Sequence, residues 1–487
     1  MCDLIKCEAE PLATQDELQS YPVPSMKDPS RALPFRREEP PVLVEPDGSQ
    51  CRVELLGEFS NAPSSVTHHA LLLGPQSRHD VYVSVNYADK VSDDGKSLMT
   101  SPFSLSEEHN DFRAAVADFA ARDLAPHVER WNAAHEAPLE AIKLMSELGL
   151  FGLNGPEEYG GAGDFTSLCI AIEEIGKVDQ SLGITLEASV GLGSSPIAHF
   201  GTAEQKARWL PDLLAGRALA AFGLTEPDAG SDAGATRTRA VLRDHEWVIN
   251  GSKQFITNSG TDITSICTVT ARTGTGDDGR PEISAIVVPT GVPGFEVGPS
   301  YVKLGWHASD THPLTFSDVH VPEDHLLGER GQGYRQFLSI LDNGRVGIAA
   351  LALGCIRACL ELSTQYALQR TAFGVPIGRK QGIAFQIADL DVMSSAAHQL
   401  VYAAAALRDH GASPREFHRA AAIAKLYATE SAVTATRVAT QVFGGYGFME
   451  EYPVARFYRD AKVLEIGEGT SEVQRLLIAR RLGLPVE

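Results

Sequence analysis

The stretch Trp247-Val-Ile-Asn-Gly-Ser-Lys-Gln-Phe-Ile-Thr257 opens a strand-patterned segment between two segments patterned for helices. Its two apolar ends read as short strands, and Asn250-Gly251 between them predicts a tight hairpin turn. Strand patterns follow at 263–270, 283–288 and 314–319, a spacing that predicts a small barrel over 221–332. Upstream, over 104–220, apolar residues recur at helical spacing: Phe112, Val116, Phe119 and Ala120 share one face after an acidic first turn at Glu107, Glu108 and Asp111. Downstream, over 333–487, Ile383, Ile387, Leu390, Ala397, Leu400 and Leu407 keep one apolar stripe, and Gly411 and Pro414 end that helix. The order helices, strands, helices predicts an α+β fold and excludes a βαβ nucleotide-binding sheet.

Residues 1–103 are different in kind. Eleven of the 27 prolines fall there, which forbids long helices and predicts a Pro-rich arm carrying three short strands between 52 and 87. This extension has no functional reading.

Composition narrows the function. Hydrophobic residues make up 43% of the 487 and charged residues 22%, as in globular proteins with a sizeable core. A net charge of −21 repels phosphate backbones, so nucleic acid is not an expected partner. Seven scattered cysteines predict buried free thiols rather than disulfides or a zinc site, and no metal is expected. No apolar run reads as a membrane span, and the first residues resemble neither a secretory nor a transit signal, so a cytoplasmic protein without membrane association is expected.

Three segments carry chemistry. Phe222-Gly-Leu-Thr-Glu-Pro-Asp-Ala-Gly-Ser-Asp-Ala-Gly234 is rich in turn residues and exposed donors. Gln441-Val-Phe-Gly-Gly-Tyr-Gly447, running on to Asp460, puts glycines at a helix end, where a backbone can approach a diphosphate. Glu465-Ile-Gly-Glu-Gly-Thr-Ser-Glu472 sets the Glu468 carboxylate on a tight loop ahead of a helix. Alone, the first two read equally well as an ordinary loop and a helix stop, and the third reads as a solvated surface acid.

Together, in this order and at these separations, they resemble the acyl-CoA dehydrogenase family of flavoproteins. The likeness runs from Ser104 to near Leu484 and includes Lys253-Gln-Phe-Ile-Thr-Asn258, Lys303-Leu-Gly305 and Arg370-Thr-Ala-Phe-Gly374. The resemblance implies an N-terminal helical domain, a middle β domain and a C-terminal four-helix bundle. It implies FAD as cofactor: Phe222, Leu224 and Thr225 at the pyrimidine end, with Ser231 nearby; Phe255 and Thr257 along the ring; Gln441, Gly444 and Gly445 at the diphosphate; Thr470 and Ser471 close to the base. Arg370, Phe373 and Gln381 would reach the adenosine half of an FAD held mainly by a neighbouring subunit, which implies a homotetramer. Ser231, Asp342, Arg345 and Gly469 match positions that contact an acyl-CoA substrate. Phe255 stands where many relatives have Trp, and Ala372 where Thr is common.

The resemblance makes Glu468 the catalytic base for the α-proton of the thioester, and an electron-transferring flavoprotein the electron acceptor. An α-proton is weakly acidic, so a base must lie within hydrogen-bond reach. Some relatives place the base on the helix near Arg345, but Gly344 stands there. Oxidases and hydroxylases of the same fold, a carrier-protein thioester in place of CoA, and a flavoprotein kept only for binding are the competing readings. Related nitroalkane oxidases carry Asp as base, whereas this chain has Glu468.

Overall fold

The computed structural model describes residues 105–276 and 279–486. The Pro-rich arm and its three expected strands lie outside the described residues.

The N-terminal helices are α1 (Glu107–Phe119), α2 (Val128–Ala134), α3 (Leu139–Glu147), α4 (Phe165–Val178), α5 (Gln180–Glu187), α6 (Ser195–Phe200) and α7 (Ala203–Leu214). Their starts follow from side-chain caps. Ser106 accepts from His109 N–H, Asp164 from Ser167 N–H and Asp179 from Leu182 N–H, and Thr202 with Gln205 forms a capping box. The strands are β1 (Leu219–Gly223), β2 (Arg239–Arg243), β3 (Glu246–Thr257), β4 (Thr264–Thr275), β5 (Pro281–Pro289), β6 (Phe295–Val297), β7 (Thr311–Pro322) and β8 (Leu326–Leu327). After them come α8 (Gly333–Gln369), a small ribbon of β9 (Thr371–Ala372) and β10 (Val375–Pro376), then α9 (Gln381–Asp409), α10 (Pro414–Phe443), α11 (Pro453–Ala461) and α12 (Ser471–Arg481).

The strands pair in the order β6-β7-β3-β2-β4-β5-β8, with β1 beside β4 in parallel. Among the described residues the pairing gives an open path of strands, which does not show the closure that a barrel-like spacing predicts. One face, with Trp247, Ile249, Val269, Ile286 and Phe316, forms its own core. The other presents Ala220, Ile266, Ala285 and Val287 to α6, α7 and Phe337 of α8.

The hairpin expected at Asn250-Gly251 is absent. β3 runs unbroken through it, paired to β2 on one side and β7 on the other. The turn lies earlier, at Asp244-His245, whose φ values of 48° and 65° suit a two-residue loop of the primed type. Asn250-Gly251 instead marks a register shift against β7, and a Cβ at Gly251 would meet Thr238 Oγ1 at 2.5 Å.

The long helix α8 runs through the main core and packs on α4, α9 and α10. Glycines let it approach its neighbours: a Cβ at Gly354 would meet the Glu173 carbonyl oxygen at 2.4 Å. By length and composition α8 is apolar enough to cross a membrane, contrary to the expectation from sequence, but 78% of that apolar window is buried inside the protein. The cysteines within the described residues, Cys169, Cys267, Cys355 and Cys359, are buried free thiols.

Candidate active site

Glu468 occupies the turn before α12 in a left-handed conformation, φ 51°, a strained position for a side chain of this kind. Its neighbours hold it there. Lys425 of α10 donates from Nζ to the Gly469 carbonyl at 2.8 Å. Gln474 Nε2 donates to the carbonyls of Glu468 (3.2 Å) and Gly469 (2.9 Å). Thr470 caps α12 by accepting from Val473 N–H, and the buried Ser471 hydroxyl has no partner. The Glu468 residue is half-buried, but its Oε2 is sealed from solvent and no donor reaches it. The carboxyl lies against Gly344 of α8, where an added Cβ would come within 1.9 Å of Oε2. Burial pushes Glu468 up to about 7, against the influence of the neighbouring Glu187 carboxyl and the attraction of Lys425 and Arg345.

Glu187, at the end of α5, was not among the sequence candidates. It is fully buried, and neither carboxyl oxygen has a hydrogen-bond donor from the rest of the protein. Its carboxyl lies beside that of Glu468, and burial with the adjacent acid raises it well above the usual carboxylate range. Two glycines leave room for it: a Cβ would meet Glu187 Oε1 at 2.5 Å from Gly191, and Glu187 Cγ at 2.8 Å from Gly347. The signal for it was available, since Glu187 is the lone charged residue between 180 and 198. Lys425 was missed too; it is a lysine on the alanine-lined buried face of α10.

Asp342 and Arg345 share a buried face of α8, as their spacing predicts. They pair with each other, and Asp342 Oδ2 also meets His418 Nε2 at 2.7 Å. Arg481 reaches the other ring nitrogen of His418 at 2.7 Å, so four groups form one polar cluster.

The segment after β1 is tied to β3 by a buried ion pair. Lys253 Nζ donates to Glu226 Oε1 (2.8 Å), the Leu224 carbonyl (3.1 Å) and Thr270 Oγ1 (3.0 Å). Glu226 accepts in turn from the N–H groups of Arg237 and Thr238. The Thr225 carbonyl accepts from Gln254 N–H at 2.8 Å, and Phe222 stacks on Phe337. The register shift within β3 leaves Phe255 at φ 60° and 61% exposed. Thr257 pairs with Thr311, and Asn258 donates to Thr185 of α5 and to Ser189 just beyond it. Ser231 is exposed.

A separate open groove of about 680 Å³ collects Tyr366, Arg370, Phe373, Gly444, Gly445 and Tyr446. The Arg370 guanidinium sits over the Tyr446 ring, and Phe373 is 93% exposed. Gln381 and Gln441 are exposed beside it but do not line it. Glu468, Thr225 and Phe255 do not line it either.

The described residues match three family models in succession: acyl-CoA dehydrogenase N-terminal domain over 106–217, middle domain over 221–319, and C-terminal domain over 331–483. A curated relative, the probable acyl-CoA dehydrogenase YngJ of Bacillus subtilis (strain 168), is 48% identical over 381 residues, which is 78% of this chain and 99% of the relative. The chain belongs to the acyl-CoA dehydrogenase family. Among solved structures, butyryl-CoA dehydrogenase from Megasphaera elsdenii superposes with a TM-score of 0.75 at 42% identity, covering 78% of this chain and 100% of that one. The acyl-CoA dehydrogenase complexed with FAD from Bacillus anthracis gives 0.73 at 33% identity, covering 79% and 70%.

Acyl-CoA dehydrogenases are FAD-dependent oxidoreductases, and the residues of this chain fit that cofactor. In the groove a guanidinium, the aromatic rings of Tyr366, Phe373 and Tyr446 and the open backbone at Gly444 and Gly445 suit an adenosine diphosphate; a Cβ at either glycine would meet nothing within 4 Å. The exposed Phe255 ring and the tethered Thr225 backbone suit the edge of a flat ring system.

Proposed function

We propose that the protein dehydrogenates an acyl-CoA thioester to the trans-2-enoyl thioester, with Glu468 removing the α-proton. The observation that carries this reading is the Glu468 carboxyl on a turn clamped by Lys425, its Oε2 sealed from solvent with no donor, where burial pushes it up to about 7. A base of that strength is ionised in a useful fraction at the working pH and still accepts a proton readily. The Glu468 N–H would donate to the thioester oxygen and stabilise the enolate-like charge that develops there. Arg345, Asp342, Ser231 and Gly469 would hold the CoA portion and orient the α-carbon toward the carboxylate. Bound FAD supplies the acceptor for the β-hydride, a task no side chain performs.

The cofactor contacts fall into two sets. Phe222, Leu224, Thr225, Phe255, Thr257, Thr470 and Ser471 would serve the flavin half. Arg370, Phe373, Gln381, Gln441, Gly444 and Gly445 would serve the diphosphate and adenosine of a cofactor shared with a second subunit. That the groove is lined by none of Glu468, Thr225 or Phe255 supports sharing. The exposed Phe385 and Val392 of α9 support burial of that helix in a homotetramer. Electrons would pass to an electron-transferring flavoprotein.

The test is reconstitution with FAD followed by anaerobic addition of acyl-CoAs of increasing chain length. Bleaching of the flavin by at least one member, with about one FAD per chain, is expected. A flavin-loaded protein that no acyl-CoA bleaches contradicts the reading.

A further inference from the structure

We infer that Glu187 is a positioning residue for the base: a buried carboxylic acid that donates its proton in a hydrogen bond to the Glu468 carboxylate. The inference deepens the proposed function and rests on Glu468 as the base. Glu187 is fully buried, and no backbone or side-chain donor in the protein reaches either of its oxygens. An ionised carboxylate in that setting would lose its hydration with nothing in exchange. The Glu468 carboxyl beside it also has an oxygen without a donor. Two such groups can hydrogen-bond only if one of them carries a proton, so the pair shares a single proton in the working state.

The surroundings say which acid carries it. Glu468 faces two cations, Lys425 from α10 and Arg345 from α8, and these favour its charged form. Around Glu187 the titratable groups are Glu468 and, from α4, the buried thiol Cys169. The segment 188–194 and strand β1 bring no ionisable side chain; of the α11 charges, Arg456 meets Asp179 at the far end of α5, Arg459 meets Glu450 and Asp460 accepts from Trp306 N–H. The proton therefore resides on Glu187. Gly344 and Gly347, one turn apart on α8, form the flat bed on which the two carboxyls lie together.

Donation from Glu187 stabilises ionised Glu468 and aims it. When Glu468 takes the α-proton the pair holds two protons, and the hydrogen bond loses its charge assistance. The acidic limb of flavin reduction is the readout, because it follows ionisation of the base. Glu187→Met fills the space without a donor, so the limb should move to higher pH by roughly one unit, the scale of a lost hydrogen bond to a charged group. Glu187→Gln keeps an N–H donor and should leave the limb within about 0.3 unit.

An infrared arm is independent of turnover. At pH 8, the difference between the parent and Glu187→Gln should contain the carbonyl band of a protonated carboxylic acid. The same comparison made in a Glu468→Gln background should keep a band of that kind at a shifted frequency. An unmoved limb in Glu187→Met overturns the inference, as does a limb displaced to lower pH or the absence of the band. If instead Glu468→Gln reduces its flavin at the parent rate, the base assignment is what fails, and the infrared arm still judges the proton on Glu187.

Discussion

The carbonyl of Gly469, the residue after the proposed base, accepts a hydrogen bond of 2.8 Å from the buried Lys425 ammonium. Lys425 thus ties the middle of α10 to a turn whose Glu468 backbone is left-handed. Its own ammonium is pushed down to about 8, chiefly by burial, with the nearby Glu468 charge opposing.

Lys425→Met should therefore act on the base in two ways. The turn loses a charge-assisted hydrogen bond, and Glu468 loses an attractive charge. Flavin reduction at pH 7 should slow by about tenfold or more, since such bonds contribute about 1.5–3 kcal/mol. The acidic limb should rise. Stopped-flow reduction across pH 5.5–9 checks both, and an unchanged rate and limb contradict the clamp.

The buried base should cost stability. Folded Glu468 holds a proton up to about pH 7, whereas the unfolded chain has lost it above about 4.5. Between those values the unfolded state binds fewer protons, so this group's contribution to stability falls as pH rises. The melting temperature of Glu468→Gln relative to the parent should thus climb from pH 4.5 to pH 8, by the equivalent of about 3 kcal/mol at most. A difference that stays flat over that window contradicts the raised value.

Gly344 offers a second test of the site's geometry. A side chain there starts within 1.9 Å of the Glu468 carboxyl, so the two positions compete for one space. Gly344→Glu in the parent should be poorly active. Combined with Glu468→Gly, which vacates that space, it should recover measurable flavin reduction above Glu468→Gly alone. Combination with Glu468→Gln should recover less, because the longer side chain stays in the way. Equal recovery in both contradicts the shared space.

Much of this was legible before any coordinates. The change from helical to strand period and back needs only local patterning, and it marked the middle sheet correctly. Glu468 on its Gly-flanked loop reads alone as a solvated acid, and it became the candidate base only through the family resemblance. The hairpin was misplaced because Asn-Gly is a strong local turn signal, but here β2 and β7 pair with β3 on both sides and override it. Lys425 and Glu187 went unread because their meaning is tertiary. Each is one charge in a run of small or apolar residues, and only the fold sets both beside Glu468. Asp342 and Arg345 were placed on one face from spacing, yet His418 and Arg481, which complete their cluster, come from other helices.

The most direct test is anaerobic flavin reduction in Glu468→Gln, using an acyl-CoA that reduces the parent. Gln keeps the size of Glu but accepts no proton at neutral pH. The account predicts near-normal binding of FAD and acyl-CoA with reduction slowed by at least about 10²-fold, the lower end for a lost general base. Reduction within about tenfold of the parent rate would contradict it, and the α-proton would then have to leave by another route.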